Sequence, residues 1–251
     1  MTQDSVLLDF PVLDTPAKAM ILAAGLGTRM RPITDTMPKP LVRVYGKALL
    51  DHALDAVRRA GVKDVVVNVH YHADQIVRHL ETVSDLNVEI SDERDGLLDS
   101  AGGIIKALPK LGDQPFYLLN ADSFWVEGFK PNLLRMAALW DRKQMDILLL
   151  LAGMSTAVGF GSKGDFHMNA DARLTRRGEG EVAAFAYSGA AILDPKIFAD
   201  TAAGISSINR QFDEAIEHQR LFGLPLEGLW LHVGTPDAIR EAEEAIARSA
   251  A

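Results

Sequence analysis

The chain has 251 residues, 48% of them hydrophobic and 24% charged, with a formal net charge of −8 and no cysteine. That composition suits a folded α/β protein, while the acidic balance argues against a nucleic-acid backbone or an anionic membrane as partner. The lack of cysteine removes disulfides, thiolate metal sites and a cysteine nucleophile together.

The first residues carry no basic leader, and Asp9, Pro11 and Asp14 interrupt their apolar run, so they do not read as a signal peptide. The most apolar stretch, 147–152, is too short to cross a bilayer, and a cytoplasmic protein is expected. Residues 1–17 read as an extended arm, with Val6, Leu7, Leu8 and Phe10 free to pack on the domain or on a partner, or equally as a disordered tail. A single domain is expected over 18–251.

Within it a strand is predicted at 19–24, then a helix at 49–60 with Leu50, Leu54 and Val57 on one face and Gly61 as its stop. A buried strand at 65–67 ends near Asn68, and a helix at 73–82 turns Ile76, Val77 and Leu80 inward. There follow a strand at 88–91, a helix at 103–108 opening from a glycine-rich loop, a strand at 116–120, a helix at 133–142 and a strand at 146–151. Glycines at 159, 161, 164, 178 and 180 then break the pattern, and 153–190 is expected to be a small inserted β lid. Alternation resumes at 183–193, followed by a helix at 208–220, a strand at 229–233 and a terminal helix started by Pro236. Strands alternating with helices imply an α/β, Rossmann-like fold with a mixed, mostly parallel central sheet.

The most informative stretch is Leu22-Ala23-Ala24-Gly25-Leu26-Gly27-Thr28-Arg29-Met30-Arg31, followed by Pro38-Lys39-Pro40-Leu41. Glycines allow backbone N–H groups to approach an anion, and the arginines neutralise it, so the loop suits a polyphosphate. Met30 stands where a dinucleotide fingerprint needs its third glycine, and no Gly-Lys-Ser/Thr follows for a Walker A loop. Ligands bind beyond the carboxyl ends of strands in an open α/β sheet. Three such ends carry chemistry: Gly25 to Arg31, Asn120-Ala121-Asp122, and His232-Val233-Gly234-Thr235. An unpaired carboxylate at Asp122, after a buried strand, would be costly; a turn or helix-cap role is its bland alternative. His70-Tyr71-His72 lacks further ligands at zinc spacing, and no nucleophile elbow or H-E-x-x-H motif is present.

These motifs resemble the signature G-x-G-T-R-[ML] … P-K-P-[LM] of the sugar-1-phosphate nucleotidylyltransferases, and the resemblance covers nearly all of the chain after Lys18. It implies Ala23, Ala24, Gly25, Gly27, Thr28, Arg29 and Lys39 as nucleotide-binding residues. It also places Asp122 as the metal-binding aspartate for Mg2+, with Mn2+ admitted. Leu98-Asp99-Ser100-Ala101-Gly102-Gly103 resembles the family loop that edges the base, with Asp92 or Glu93 upstream, so Ser100, Ala101 and Gly102 join the nucleotide set. Arg29, Lys39, Asp122 and Lys163 are the implied catalytic residues, Lys163 against the sugar phosphate. Asn120, Asp165, Ser188 and Gly189 are the implied sugar-binding residues. Most members carry aspartate before V-G-T; this chain has His232. Imidazole is a poor ligand for magnesium and a good one for softer metals, so His232 reads as a metal ligand, a hydrogen-bonding group at a phosphate or metal-bound water, or an inert core histidine.

The short C-terminus, L-D-S-A-G-G and G-x-G-D-F are most similar to the bacterial N-acetylmuramate α-1-phosphate uridylyltransferases of cell-wall recycling. That similarity implies UTP and a sugar 1-phosphate as substrates, with Arg210 a guess for the lactyl carboxylate. A mannose-1-phosphate guanylyltransferase is the close competitor. A catalytically weak regulatory protein that binds nucleotide sugars stays open on account of His232, and so does a homodimer.

Overall fold

The structure is a computed structural model that describes residues 15–249. The expected arm therefore lies, up to residue 14, outside the described residues. The strands are β1 (Lys18–Leu22), β2 (Arg43–Val44), β3 (Lys47–Ala48), β4 (Asp64–Val69), β5 (Asn87–Asp92), β6 (Phe116–Asn120), β7 (Ser123–Glu127), β8 (Ile147–Gly153), β9 (Phe166–Met168), β10 (Leu174–Arg176), β11 (Phe185–Leu193), β12 (Leu221–Pro225) and β13 (Gly228–His232). The helices are α1 (Leu49–Arg59), α2 (Ala73–Leu80), α3 (Asp99–Leu111), α4 (Asn132–Leu139), α5 (Asn209–Glu217) and α6 (Pro236–Ser249).

The main sheet runs β10-β9-β11-β6-β1-β4-β5, with β8 branching from β11 and β12 pairing parallel with β8. Its centre, β6-β1-β4-β5, is parallel. Strand β11 joins β6 in the opposite sense and β8 pairs antiparallel to β11. The inner parallel strands β6, β1 and β4 are mostly apolar on both faces because helices cover both. Met20, Val66 and Leu118 face α3 and α5, together with Ile104, Ala107 and Phe212. Ile21, Val65 and Val67 face the other way, onto Leu50, Leu54, Ile76 and Met136 of α1, α2 and α4. Gly61 follows α1 at φ 77°, a left-handed geometry that glycine adopts without a Cβ penalty.

Several expectations need correction. Strand β1 stops at Leu22, not residue 24, because the next amide, Ala23 N–H, turns to the side chain of Asn68. The stretch Asp99 to Gly103 is not a loop ahead of a helix but the first turns of α3 itself. Strand β13 is outside the main sheet: it pairs antiparallel with β7 in a separate two-stranded sheet. Strands β7 and β12 were not expected; β7 follows β6 after only Ala121 and Asp122, so the two read as one apolar run. Strands β9 and β10 form an antiparallel pair on the edge of the main sheet, beside the end of β11.

Candidate active site

A cavity of about 640 Å³ opens at the carboxyl ends of β1, β4, β5 and β6. Ala23, Ala24 and Gly25 form one lip, Lys39 and Asp122 the floor towards one end, and Asn68, Glu93 and Ser100 the other end. Asn120 and Ala121 line it too, beside Leu97 and the exposed Ile205.

The glycine loop and the Pro-Lys-Pro segment interlock. Gly27 has φ 64°, and a Cβ there would stand 2.9 Å from the Cβ of Lys39 and 3.1 Å from Thr34. Thr34 Oγ1 donates to the Gly27 carbonyl at 2.8 Å. The glycine thus lets the two motifs pack, and the short helical turn at residues 39–41 aims Lys39 across the cavity. Its Nζ donates to Asp122 Oδ2 at 3.0 Å, with the two side chains 11% and 31% exposed. The amides of residues 24–29 are taken by no hydrogen bond among the described residues, so the loop presents a row of free donors.

Burial alone would push the Asp122 carboxyl up; Lys39, His232 and Arg29 outweigh it and hold it below the usual carboxylate range. Burial pushes the His232 imidazole down, Asp122 opposes that, and Lys39 and Arg29 reinforce it. His232 is held by packing: its ring stacks on Trp230 at 5.9 Å and meets Phe160 edge-on at 5.5 Å. Val233 N–H donates to the Asp122 carbonyl at 3.0 Å, which ties the end of β13 to the end of β6 although the strands belong to different sheets. A Cβ on Gly234 would lie 2.8 Å from His232 Nε2 and 3.7 Å from a guanidinium nitrogen of Arg29, so Gly234 makes room for both side chains.

At the other end the fully buried Glu93 accepts from Asn68 Nδ2 at 2.7 Å and from Leu98 N–H at 3.2 Å. Asn68 Oδ1 in turn accepts from Ala23 N–H at 2.7 Å. Asn68 and Ile205 were missing from the sequence-derived set; a polar residue ending an apolar strand was the available signal for Asn68. Of the pair Asp92 and Glu93, only Glu93 lines the cavity, while Asp92 pairs with Arg94. Ser100 lines it as well, and its Oγ accepts from Ile208 N–H. Ala101 and Gly102 do not: both amides donate to the Ser206 carbonyl, at 2.9 and 3.1 Å.

The remaining candidates are spread out. Gly27, Thr28 and Arg29 flank the cavity rather than line it. Gly189, at φ 89°, packs on Ser123 and Asn120. Ser188 is fully buried and its carbonyl accepts from Ser123 Oγ and Trp230 Nε1. Asp165 accepts from Tyr187 N–H at 2.9 Å. Lys163 is exposed and its side chain meets no partner among the described residues. Arg210 is 62% exposed and paired with Glu214, away from the cavity.

No group of three or more His, Asp, Glu or Cys among the described residues could hold a metal by itself. The donors near the cavity floor are one ionised carboxylate, Asp122, and the neutral imidazole of His232. That set fits magnesium, which keeps waters and takes one or two carboxylates plus substrate phosphates. The imidazole also admits manganese.

A family profile described as nucleotidyl transferase matches residues 18–249. The N-acetylmuramate alpha-1-phosphate uridylyltransferase of Caulobacter vibrioides is 42% identical over 93% of this chain and 98% of its own. The protein of the same name from Neisseria meningitidis serogroup B is 34% identical over 90% and 96%. A mannose-1-phosphate guanyltransferase of Hypocrea jecorina is 31% identical over 87% of this chain and 61% of its own. Among solved structures, a UDP-glucose pyrophosphorylase complexed with UDP-glucose superposes with TM-score 0.76 at 18% identity, covering 93% of this chain and 99% of that one. That likeness shows the fold.

Proposed function

The chain belongs to the nucleotidyl transferase family, and on that premise we propose that it transfers the uridylyl group of UTP to N-acetylmuramate α-1-phosphate, giving UDP-N-acetylmuramate and pyrophosphate in peptidoglycan recycling. The observation that carries the chemistry is the Lys39–Asp122 pair at the meeting point of the glycine loop and β6. The choice of uridine and of N-acetylmuramate rests on the similarity to the Caulobacter and Neisseria proteins.

A phosphate oxygen of the acceptor attacks the α-phosphorus of UTP. The new P–O bond joins sugar phosphate to uridylyl, the bond to the β-phosphate oxygen breaks, and pyrophosphate leaves with the electron pair. The acceptor is already ionised at neutral pH, so no general base and no covalent intermediate are needed. The barrier is the approach of two polyanions and the charge on the leaving group, both answered by positioning and electrostatics. The free amides of 24–29 hold the triphosphate, together with Arg29 and Lys39. Asp122 would hold Mg2+ or Mn2+, with His232 beside it, and the cation would supply neutralisation of phosphate charge. Glu93 and Asn68 fix the wall where the base sits, and Asn120, Ser188 and Gly189 shape the acceptor side. The nucleotide substrate agrees with a cytoplasmic setting, and no described helix is long and apolar enough to cross a membrane.

Pyrophosphate release, with the common nucleoside triphosphates crossed against N-acetylmuramate, N-acetylglucosamine, glucose and mannose 1-phosphates, tests the assignment. Turnover confined to UTP with N-acetylmuramate 1-phosphate is expected. Turnover with GTP and mannose 1-phosphate would replace the substrates and keep the chemistry. Tight UTP binding with no release in any combination would leave a regulatory nucleotide-sugar binder.

A further inference from the structure

A lone exposed apolar side chain is ordinary on a protein surface. Ile205 is 79% exposed, yet among the exposed large apolar side chains of the described residues it alone lines the cavity at the ends of β1, β4, β5 and β6. Four hydrogen bonds hold its segment there. Ser206 N–H donates to the Leu98 carbonyl at 3.0 Å, and the Ser206 carbonyl accepts from Ala101 N–H and Gly102 N–H at 2.9 and 3.1 Å. Ile208 N–H donates to Ser100 Oγ at 3.0 Å, across 108 residues of sequence. Two glycines permit the approach: Gly204 has φ 140°, and Gly102 has no Cβ to meet the Gly204 carbonyl. Residues 204–206 are thus a strap stitched to the first turns of α3, with Ile205 held out over the cavity.

The place of the strap decides what Ile205 can touch. Phosphate groups suit the far end, where Lys39 and Asp122 meet. The strap lies at the end walled by Asn68, Glu93, Leu97 and Ser100. An aliphatic side chain offers a phosphate nothing; it gains only by shedding water against an apolar face. A nucleobase has such a face whatever its edge carries. Isoleucine is branched at Cβ and stiff at χ1, so ordering it costs little. We infer that Ile205 packs against the nucleoside of the bound nucleotide, as an apolar cover that stands in water until substrate fills the cavity. It rests on the uridylyl-transfer reading for the identity of that nucleotide as UTP. The contact raises affinity without choosing among bases.

The test is calorimetric titration in magnesium, without acceptor, of wild type, Ile205→Ser and Ile205→Leu with UTP and with inorganic triphosphate. Inorganic triphosphate carries the phosphates and no nucleoside. Ile205→Ser is expected to bind UTP about 5–20-fold more weakly, the range for losing part of a buried aliphatic side chain. Its affinity for inorganic triphosphate should match wild type. Ile205→Leu is expected to stay within about twofold of wild type for both ligands. Phe129→Ser removes a 94% exposed ring that lines none of this cavity and should change neither affinity. An unchanged UTP affinity in Ile205→Ser overturns the inference, and so do equal losses for UTP and inorganic triphosphate. A rise in acceptor KM with no change for UTP overturns it too. If Ile205→Ser lowers Tm, Ile205→Thr keeps the branch at Cβ and takes its place, with a smaller loss of the same kind expected. If wild type binds UTP but releases no pyrophosphate with any acceptor, the functional reading fails and the titrations still decide the inference. If wild type binds another nucleoside triphosphate instead, the same comparison is made with that nucleotide; a wild type that binds none overturns both.

Discussion

The two ends of the cavity are built on different principles. At the phosphate end, parallel strands deliver a glycine loop, a buried lysine and a carboxylate that already satisfy one another: Gly27 packs on Lys39, and Lys39 pairs with Asp122. At the other end, the fully buried Glu93 accepts from Asn68 and from Leu98 N–H, and Asn68 accepts from Ala23 N–H, so a hydrogen-bond network with no cation in it holds the wall. One end is preorganised electrostatics, ready before substrate arrives. The other is a wall whose shape is set by hydrogen bonds.

The largest expected effect lies at the preorganised end. Lys39→Ala removes the cation that pairs with Asp122 and that the proposed reading sets against the triphosphate, and kcat/KM is expected to fall about 10²–10³. Steady-state pyrophosphate release measures it, and near-normal turnover would break the division between the ends. Removal of divalent metal with a chelator is expected to abolish release there as well, and its return should restore it.

Next is the seam between the ends. A Cβ on Gly102 would lie 2.1 Å from the Gly204 carbonyl oxygen. Gly102→Ala must push the 204–206 strap off α3, at a cost of about 1–3 kcal/mol. Urea unfolding reads the loss, and the KM of UTP should rise because the strap carries Ile205. An unchanged midpoint would mean the strap yields freely.

Acid stability probes a third place, away from both ends. Asp194 is fully buried: burial raises its pKa, but Arg142 at 2.7 Å and the Lys196 amide outweigh that and hold it low. The unfolded state then binds more protons between the two values, so stability rises with pH in that window. The contribution is complete above about pH 4 and is lost as pH falls through the lower folded value. In Asp194→Asn the urea midpoint should depend less on pH below about 4 than in the wild type. An unaltered acid limb would contradict the pairing. The smallest effect is expected from Lys163→Ala: with an exposed side chain and no partner among the described residues, it should change acceptor kcat/KM less than about fivefold. A larger loss would move the acceptor end outward to the 159–165 loop.

The same contrast governs what could be read from the sequence. The phosphate end is local: strand, glycines, arginines and Pro-Lys-Pro lie within residues 19–41, and Asn120-Ala121-Asp122 follows the buried run Phe116 to Leu119. Periodicity and spacing therefore found α1 and β6 nearly to the residue, and the middle of β4. The fold class followed from the alternation of those elements. The other end is assembled from distant pieces. Ile205 is held at the cavity because the Ala101 and Gly102 amides donate to the Ser206 carbonyl, a contact that leaves no periodic trace. His232 was legible as chemistry but not as topology, since β13 pairs with β7 rather than with the main sheet. The Asn68–Glu93 contact joins the ends of β4 and β5 and is set by register.

The most direct measurement is pyrophosphate release by Asp122→Asn beside wild type, with UTP, N-acetylmuramate 1-phosphate and magnesium, alongside a Tm for each. Asp122→Asn keeps the size of the side chain and removes its charge. Release is expected to fall by at least about 10² with the fold intact. Wild-type turnover in a folded Asp122→Asn protein would contradict the claim that this carboxylate and Lys39 form the reacting centre.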